Sequence, residues 1–413
     1  MYFHRSLAML VCFCAVTSMF AQVSTPDTLR KPIPPAPVPA SQPPAKWYDK
    51  ISLRGYSQFR YNRLLETNPD LKCEQCDKSI GKGQSFAFRR ARLIFSGDIH
   101  PRVYFYLQFD YSADASATNK HFLQVRDAYV DYAFDKHKTL RVRAGQSKVP
   151  YGFDNMQSSS IRLPFDRSDA LNSAVPNERD MGAFLYYAPA KKRALFKRLT
   201  EEGLKGSGDY GVAAIGIFNG QTANKPEQND FVHTVARFSY PFEIGKQIIE
   251  PGIQAYTGKY TLTSDQISSG ARKNADPTYT DRRVAVSFIL FPQPFGIAAE
   301  YNVGQGPGFD PATDSIRVRN MSGGYVTLSY RTKWKKKSLM PYLRYQVYTG
   351  GKKLELDARY YDVKETEIGL EWQPLHNLEL TMAYEISDRK YWDGKTDSNE
   401  RGNFLRLQLQ VNY

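Results

Sequence analysis

The sequence predicts a transmembrane antiparallel β-barrel of sixteen strands, and three observations carry that expectation. The chain ends on Phe404-Leu-Arg-Leu-Gln-Leu-Gln-Val-Asn-Tyr413, where Leu405, Leu407, Leu409, Val411 and Tyr413 alternate with Arg406, Gln408, Gln410 and Asn412. Such period-two alternation makes a strand with one greasy and one polar face, as lipid outside and water inside a barrel require. The mean hydropathy is negative, yet 14% of residues are aromatic, which fits alternating walls with aromatic rims. After the N-terminus no apolar run reaches the roughly 18 residues of a transmembrane helix.

The N-terminal 1–21 read as a secretory signal: His4 and Arg5, then a nearly apolar stretch from Leu7 to Phe20, then Ala21 as the cleavage residue. Cys12 and Cys14 would leave with it. Losing Arg5 and no acid takes the formal charge from +14 to +13. For an exported chain that excess points to lipopolysaccharide phosphates outside and anions inside a lumen, not to nucleic acid. Residues 22–46 form a spacer in which Pro26 to Pro44 hold eight of the 24 prolines, an extended polyproline-type segment without core-forming bulk. The barrel is assigned to 47–413.

From Ile51 the strands follow one another. Ile51, Leu53, Gly55, Ser57, Phe59 and Tyr61 share one face of the first, with Ser52, Arg54, Tyr56, Gln58 and Arg60 opposite. Ala91 to Ile99 and Val103 to Tyr111 come next. Thirteen more centre near Tyr129, Val142, Phe184, Ile215, Ala236, Gln254, Ser287, Ala299, Thr327, Arg344, Ile368, Met382 and Leu407. Most span about 9–11 residues, enough for a tilted strand to cross a bilayer.

Short turns at His100-Pro101, Asp135 to His137, Pro292-Gln293 and Pro374 to His376 alternate with long polar stretches. The long ones are Leu64 to Gln84, Ser112 to Phe122, Val149 to Glu178, Thr261 to Thr280, Gly304 to Asn320 and Asp388 to Gly402. That alternation separates periplasmic turns from outer loops. Pro189 to Asp209 is long where a short turn is due. Its Lys191 to Leu199 run fits either an amphipathic helix on the inner membrane surface or a solvated loop.

Inward parity nominates Arg54 and Arg60 on the first strand, Arg90 and Arg92 on the second, and Arg141 and Arg143 on the fifth. Guanidinium groups stay charged and offer forked donors to oxyanions. Lys148 and Arg179 flank the longest loop and Arg162 and Arg167 lie within it, so these four are the expected constriction cations. The competing reading is mechanical: Asp98, Asp110, Asp127 and Asp131 share the inner faces, and Asp154, Asp166, Asp169 and Glu178 lie in the loop. Opposed charges of this kind brace a loop by hydrogen bonding. Arg89 takes the lipid-facing parity near the outer rim, where it would meet lipopolysaccharide phosphate. Lys333, Lys335, Lys336 and Lys337 read as a solvated turn. Cys73 and Cys76, alone between two strands of an exported chain, favour a loop disulfide over redox chemistry.

Catalysis is not expected. His100, His137 and His376 fall in short turns, and His121 and His233 lack a partner at a telling spacing. No G-x-S-x-G, metal-ligand pair or phosphate-binding glycine loop is present, so neither cofactor nor metal is expected.

Ser85-Phe-Ala-Phe-Arg-Arg-Ala-Arg-Leu-Ile-Phe-Ser-Gly97, Asp127-Ala-Tyr-Val-Asp-Tyr132 and Ala144-Gly-Gln-Ser-Lys-Val-Pro-Tyr-Gly152 resemble the phosphate-selective porin O/P family. Phe218-Asn-Gly220, Asn229-Asp230 and the strand end from Arg237 to Pro241 add to the likeness, which covers about Ile51 to Tyr413. The resemblance implies a sixteen-stranded outer-membrane porin, usually a homotrimer, whose third outer loop folds into the lumen. The expected function is passive diffusion of small hydrophilic solutes and ions with mild anion preference, with phosphate specificity the less favoured reading. The proline-rich arm and long outer loops also fit a second role, a structural or docking component of a surface complex.

Overall fold

A computed structural model describes residues 46–73, 77, 79–81, 86–113 and 121–413. The signal peptide, nearly all of the spacer, and Cys76 lie outside the described residues.

The first eight strands are β1 (Ser52–Leu64), β2 (Phe86–His100), β3 (Val103–Ala113), β4 (His121–Ala133), β5 (Leu140–Lys148), β6 (Arg179–Tyr187), β7 (Ala213–Phe218) and β8 (His233–Ser239). The second eight are β9 (Gln247–Thr261), β10 (Thr278–Leu290), β11 (Phe295–Asp310), β12 (Ser315–Tyr330), β13 (Lys337–Gly351), β14 (Tyr360–Leu375), β15 (Leu378–Trp392) and β16 (Asp397–Asn412). Two short segments, Phe242–Ile244 and Thr332–Trp334, continue β8 and β12 along the same neighbours. Every strand pairs antiparallel with the next, and β16 pairs β1 from Tyr56↔Asn412 to Leu64↔Leu405. The sheet therefore closes and has no free edge.

Closure extends to the last residue. Gly55 and Tyr413 exchange both backbone hydrogen bonds, at 2.6 and 3.0 Å. A Cβ on Gly55 would stand 2.4 Å from the Tyr413 ring, so only glycine lets the terminal aromatic lie across β1.

The sidedness is inverted relative to a water-soluble sheet. On β16, Arg406 is 2% exposed while its neighbour Leu407 is 38% exposed. Leu93, Ile253, Val286, Ile368 and Met382 likewise face outward, and charged residues pack inside. Lipid contact selects the first set and a polar interior the second.

Two expectations are corrected. Gly304 to Asn320 and Asp388 to Gly402 are not long loops: β11 and β12 stay paired out to Asp310↔Ser315, and β15 and β16 out to Trp392↔Asp397. Polarity there marks departure from hydrocarbon, because above the membrane a strand needs no greasy outer face. The second correction concerns Pro189 to Asp209. Its helix spans Ala190–Glu201 but does not lie on the membrane surface. Leu195, Phe196 and Leu199 are buried against Ile248, Ile289 and Phe291, apolar groups at the inner ends of β9 and β10. Those inward apolar positions need cover from water, and the helix supplies it across the periplasmic mouth.

Candidate functional site: a lumen strapped from several sides

Val149 to Glu178, between β5 and β6, carries two single-turn helices, α1 (Phe153–Met156) and α2 (Asp169–Asn172); the periplasmic helix Ala190–Glu201 is α3. The stretch is almost wholly buried. Its anchors come from strands around the whole barrel. On β1, Gln58 donates to the Ser159 carbonyl at 2.9 Å and Arg60 to the Phe165 carbonyl at 2.7 Å. From β16, Arg406 reaches Asp166 at 2.6 Å. Glu300 of β11 accepts the Phe153 and Asp154 amides at 2.6 and 2.8 Å. Arg344 of β13 pairs with Asp154 at 3.1 Å, and Arg389 of β15 with Asp169 at 2.9 Å. A segment that bonds inward groups of β1, β11, β13, β15 and β16 lies inside the barrel. Between β6 and β14 its apolar face, with Tyr151, Leu171 and Val175, packs on Phe184, Tyr256, Tyr325 and Val363.

The nominated arginines are inward, and most are engaged. Arg60 pairs with Asp77 at 2.6 Å and Arg92 with Asp110 at 2.9 Å. Arg141 pairs with Asp209 at 2.6 Å, and Arg143 holds both oxygens of Asp131 at 2.7 and 2.9 Å. Arg54 is exposed at the inner end of β1, and no acid pairs with it among the described residues. Arg90 is 4% exposed and makes no ion pair or side-chain hydrogen bond among the described residues.

The four expected constriction cations divide. Arg167 and Arg179 meet at Glu178, at 2.8 and 2.6 Å, and Arg179 also holds Asp127 at 2.9 Å. Lys148 stands beside this node, donating to the Met156 and Gln157 carbonyls at 2.7 and 2.8 Å. Arg162 lies apart, bonded to the Pro164 and Phe165 carbonyls at 2.9 and 2.6 Å. Burial would push the Glu178 carboxyl up, but Arg167, Arg126 and Arg179 outweigh it and hold it well below the usual range. Asp166 behaves alike: Arg406 and Arg60 overcome its burial and keep it strongly acidic.

Arg89 departs from expectation. The β1–β2 register slips between Gln58↔Arg90 and Phe59↔Phe88, leaving Arg89 in a β-bulge. The extra residue reverses its side, and Arg89 comes within 3.8 Å of Asp77 and Asp166 in the lumen. The lysines Lys333, Lys335, Lys336 and Lys337 form an exposed turn as expected. Cys73 is disulfide-bonded.

Three sets of lumen residues escaped the sequence reading. Asp77 reaches in from the first outer loop, and Lys352 and Lys353 from the loop after β13 bind Asp169 and Asp281, both at 2.5 Å. An acidic wall stands on β14 and β15. There Glu365 accepts from Arg389 at 2.6 Å, Glu367 from Tyr342 at 2.6 Å and the Phe165 amide at 3.1 Å, and Glu385 from Arg406 at 2.8 Å. Glu371 is held by Lys205 at 2.6 Å. Lys205 follows α3, so the inner connection crosses the mouth from β6 to β14. Gln157 of the loop donates to the Lys205 carbonyl at 2.7 Å, tying the two straps together.

A cavity of about 1040 Å³ remains on the opposite side, along the inner halves of β1 to β6. Arg54, Tyr104, Gln108, Tyr129 and Arg143 line it, and it reaches Lys148 and Arg179 under the loop. A closed sixteen-stranded barrel with an internal strap and an eccentric cavity lined by charged side chains has the architecture of a porin. The description "Phosphate-selective porin O and P" matches residues 69–413, and the chain belongs to that family. It is an outer-membrane diffusion porin. Among solved structures, Salmonella typhi OmpF in complex with daunomycin has TM-score 0.53 at 15% identity, covering 89% of this chain and 98% of that one. The anion-selective porin from Comamonas acidovorans has TM-score 0.50 at 10% identity, covering 88% and 99%. The trimer form of Vibrio cholerae OmpT also scores 0.50 at 10% identity, covering 88% and 100%. At these identities the likeness concerns the fold. Comparison with curated proteins returns no match.

Proposed function

We propose that this porin passes small anions in preference to cations, along an eccentric path on the β1–β6 wall. The carrying observation is an imbalance of engagement. Arg90 and Lys148 meet no carboxylate within ion-pair distance among the described residues, while Glu365, Glu371 and Glu385 on the far wall pair with Arg389, Lys205 and Arg406. A cation without a counter-charge attracts mobile anions; a carboxylate already paired repels them weakly. The same pairing supports mild preference over tight phosphate capture, since most guanidinium forks are already filled. We also propose a homotrimer, in line with the trimer form of the Vibrio protein. No catalytic step is assigned to any residue.

Purified protein in planar bilayers should give stepwise channels whose reversal potential in a KCl gradient favours chloride. Inorganic phosphate should reduce chloride current only at millimolar levels or above. A cation-favouring reversal potential would overturn the anion reading, and micromolar phosphate block would replace mild preference with a specific site. Light scattering of the detergent-solubilised barrel tests the trimer.

A further inference from the structure

The inner vestibule holds more than charge. Tyr106 of β3 and Tyr129 of β4 stack with ring centroids 5.0 Å apart and planes 12° from parallel. Arg143 covers Tyr129 at 3.8 Å, and Tyr104 extends the strip 6.5 Å from Tyr106. Tyr210, from the inner connection, closes the row beside Arg143 at 5.8 Å. The Tyr106 hydroxyl is fixed by Gln108 at 2.9 Å. Tyr104, Tyr106, Tyr129 and Tyr210 all line this cavity. Passage of bare ions needs no such row of oriented rings.

The charge around the strip is one-sided. All five acids lining the cavity are paired: Asp98 with Lys138, Asp127 with Arg179, Asp131 with Arg143, Asp209 with Arg141, and Glu201 with Lys197. Arg54 and Arg102 line the same cavity without an acid partner among the described residues.

We infer that the vestibule is a binding subsite for a ring-bearing anion, a pyranose or aryl ring carrying a phosphate group. The ring lies along Tyr104 and Tyr106 while the phosphate meets Arg54 and Arg102. The inference rests on the anion-pore reading and adds the ring. Stacking on two aromatic faces strengthens binding roughly tenfold over the bare anion. The phosphate meets two guanidinium groups that no carboxylate neutralises among the described residues, and their forked donors suit its oxygens.

The test is block of chloride current through the full-length mature protein, with probes added on the periplasmic side. Glucose 6-phosphate, phenyl phosphate, inorganic phosphate and glucose are compared. One or both ring phosphates should block at roughly one-tenth the concentration of inorganic phosphate, and which of them does so identifies the ring. Replacing Tyr104 and Tyr106 by Leu should erase that advantage, and replacing both by Phe should keep it. Each variant is first shown to run as a folded, heat-modifiable barrel. Equal block by all three phosphates in the unmodified protein would overturn the subsite yet leave the anion pore standing. An advantage that survives the Leu pair would place the ring elsewhere and overturn it too. A cation-selective channel blocked by no phosphate would remove both readings together.

Discussion

The two halves of the lumen wall use opposite charges for different ends. On β14 and β15, Glu365, Glu367, Glu371 and Glu385 each hold something in place: Arg389, the Phe165 amide, Lys205 and Arg406. On β1 to β6 the balance differs. Arg92, Arg143 and Arg179 are neutralised by wall aspartates, but Arg90 and Lys148 stand without a carboxylate among the described residues. Net charge therefore misleads, because a paired charge acts as structure and an unpaired one acts on the solute. The acidic wall braces the strap, and on the proposed reading the basic wall meets what passes.

Breaking the brace should have the largest effect. Asp166 bonds Arg60 and Arg406, and Asp169 bonds Lys352 and Arg389. Replacing both by Ala breaks four buried ion pairs, but Arg60 keeps Asp77, Arg406 keeps Glu385 and Arg389 keeps Glu365, so each break costs less than the about 3–5 kcal/mol of a buried cation left wholly unpaired. The loop should come free, giving several-fold larger and noisier single-channel conductance and a lower thermal midpoint. Unchanged conductance would show that the apolar face and the remaining anchors, among them Glu300 and Arg344, hold the loop without these two carboxylates.

The inner strap comes next. Leu199→Asp puts a charge into the apolar seat of α3, and Lys205→Ala removes its hold on Glu371. Either change should raise conductance up to about twofold if α3 narrows the mouth, with the Asp variant larger because burying an unpaired charge is costly. Conductance equal to wild type in both would make α3 a bystander.

Acid offers a milder probe. Asp166 and Glu178 have folded values well below the ordinary carboxyl range. The stability such groups contribute is fully present above their unfolded values, about 4, and is lost only as pH falls through the depressed folded values. Conductance should thus hold from pH 7 to pH 4 and change only in stronger acid. A transition near pH 5 would mean these pairs do not secure the loop.

Much of this architecture was legible in the chain. Lipid imposes strict alternation, so Leu405 to Val411 on β16 and Val103 to Phe109 on β3 declared their faces, and Val149 to Glu178 announced itself by length. What failed did so for physical reasons. Arg89 misled because a bulge shifts parity without a local sequence mark. Asp77, Lys352 and Lys353 come from outer loops whose inward path leaves no periodic trace. Leu195, Phe196 and Leu199 showed an amphipathic helix, but periodicity cannot say whether lipid or a barrel mouth receives the greasy face. The acidic wall was readable, since Glu365, Glu367 and Glu371 share one parity. Which charges would be paired was not, because pairing depends on partners far away in sequence.

The central claim is that one wall sets selectivity, and reversal potentials in a tenfold KCl gradient test it most directly. Three proteins are compared: wild type, Arg90→Ala on the basic wall and Glu371→Gln on the acidic wall. The Gln oxygen can still accept from Lys205, so the brace survives while the paired charge is removed. A single charge about 4 Å from a passing ion in water-like surroundings is worth about 1 kcal/mol, or roughly fivefold in relative permeability. Arg90→Ala should therefore lower the chloride-to-potassium permeability ratio by up to that factor, and Glu371→Gln should leave it near wild type. Equal and opposite shifts, or a silent Arg90 beside a responsive Glu371, would contradict the account.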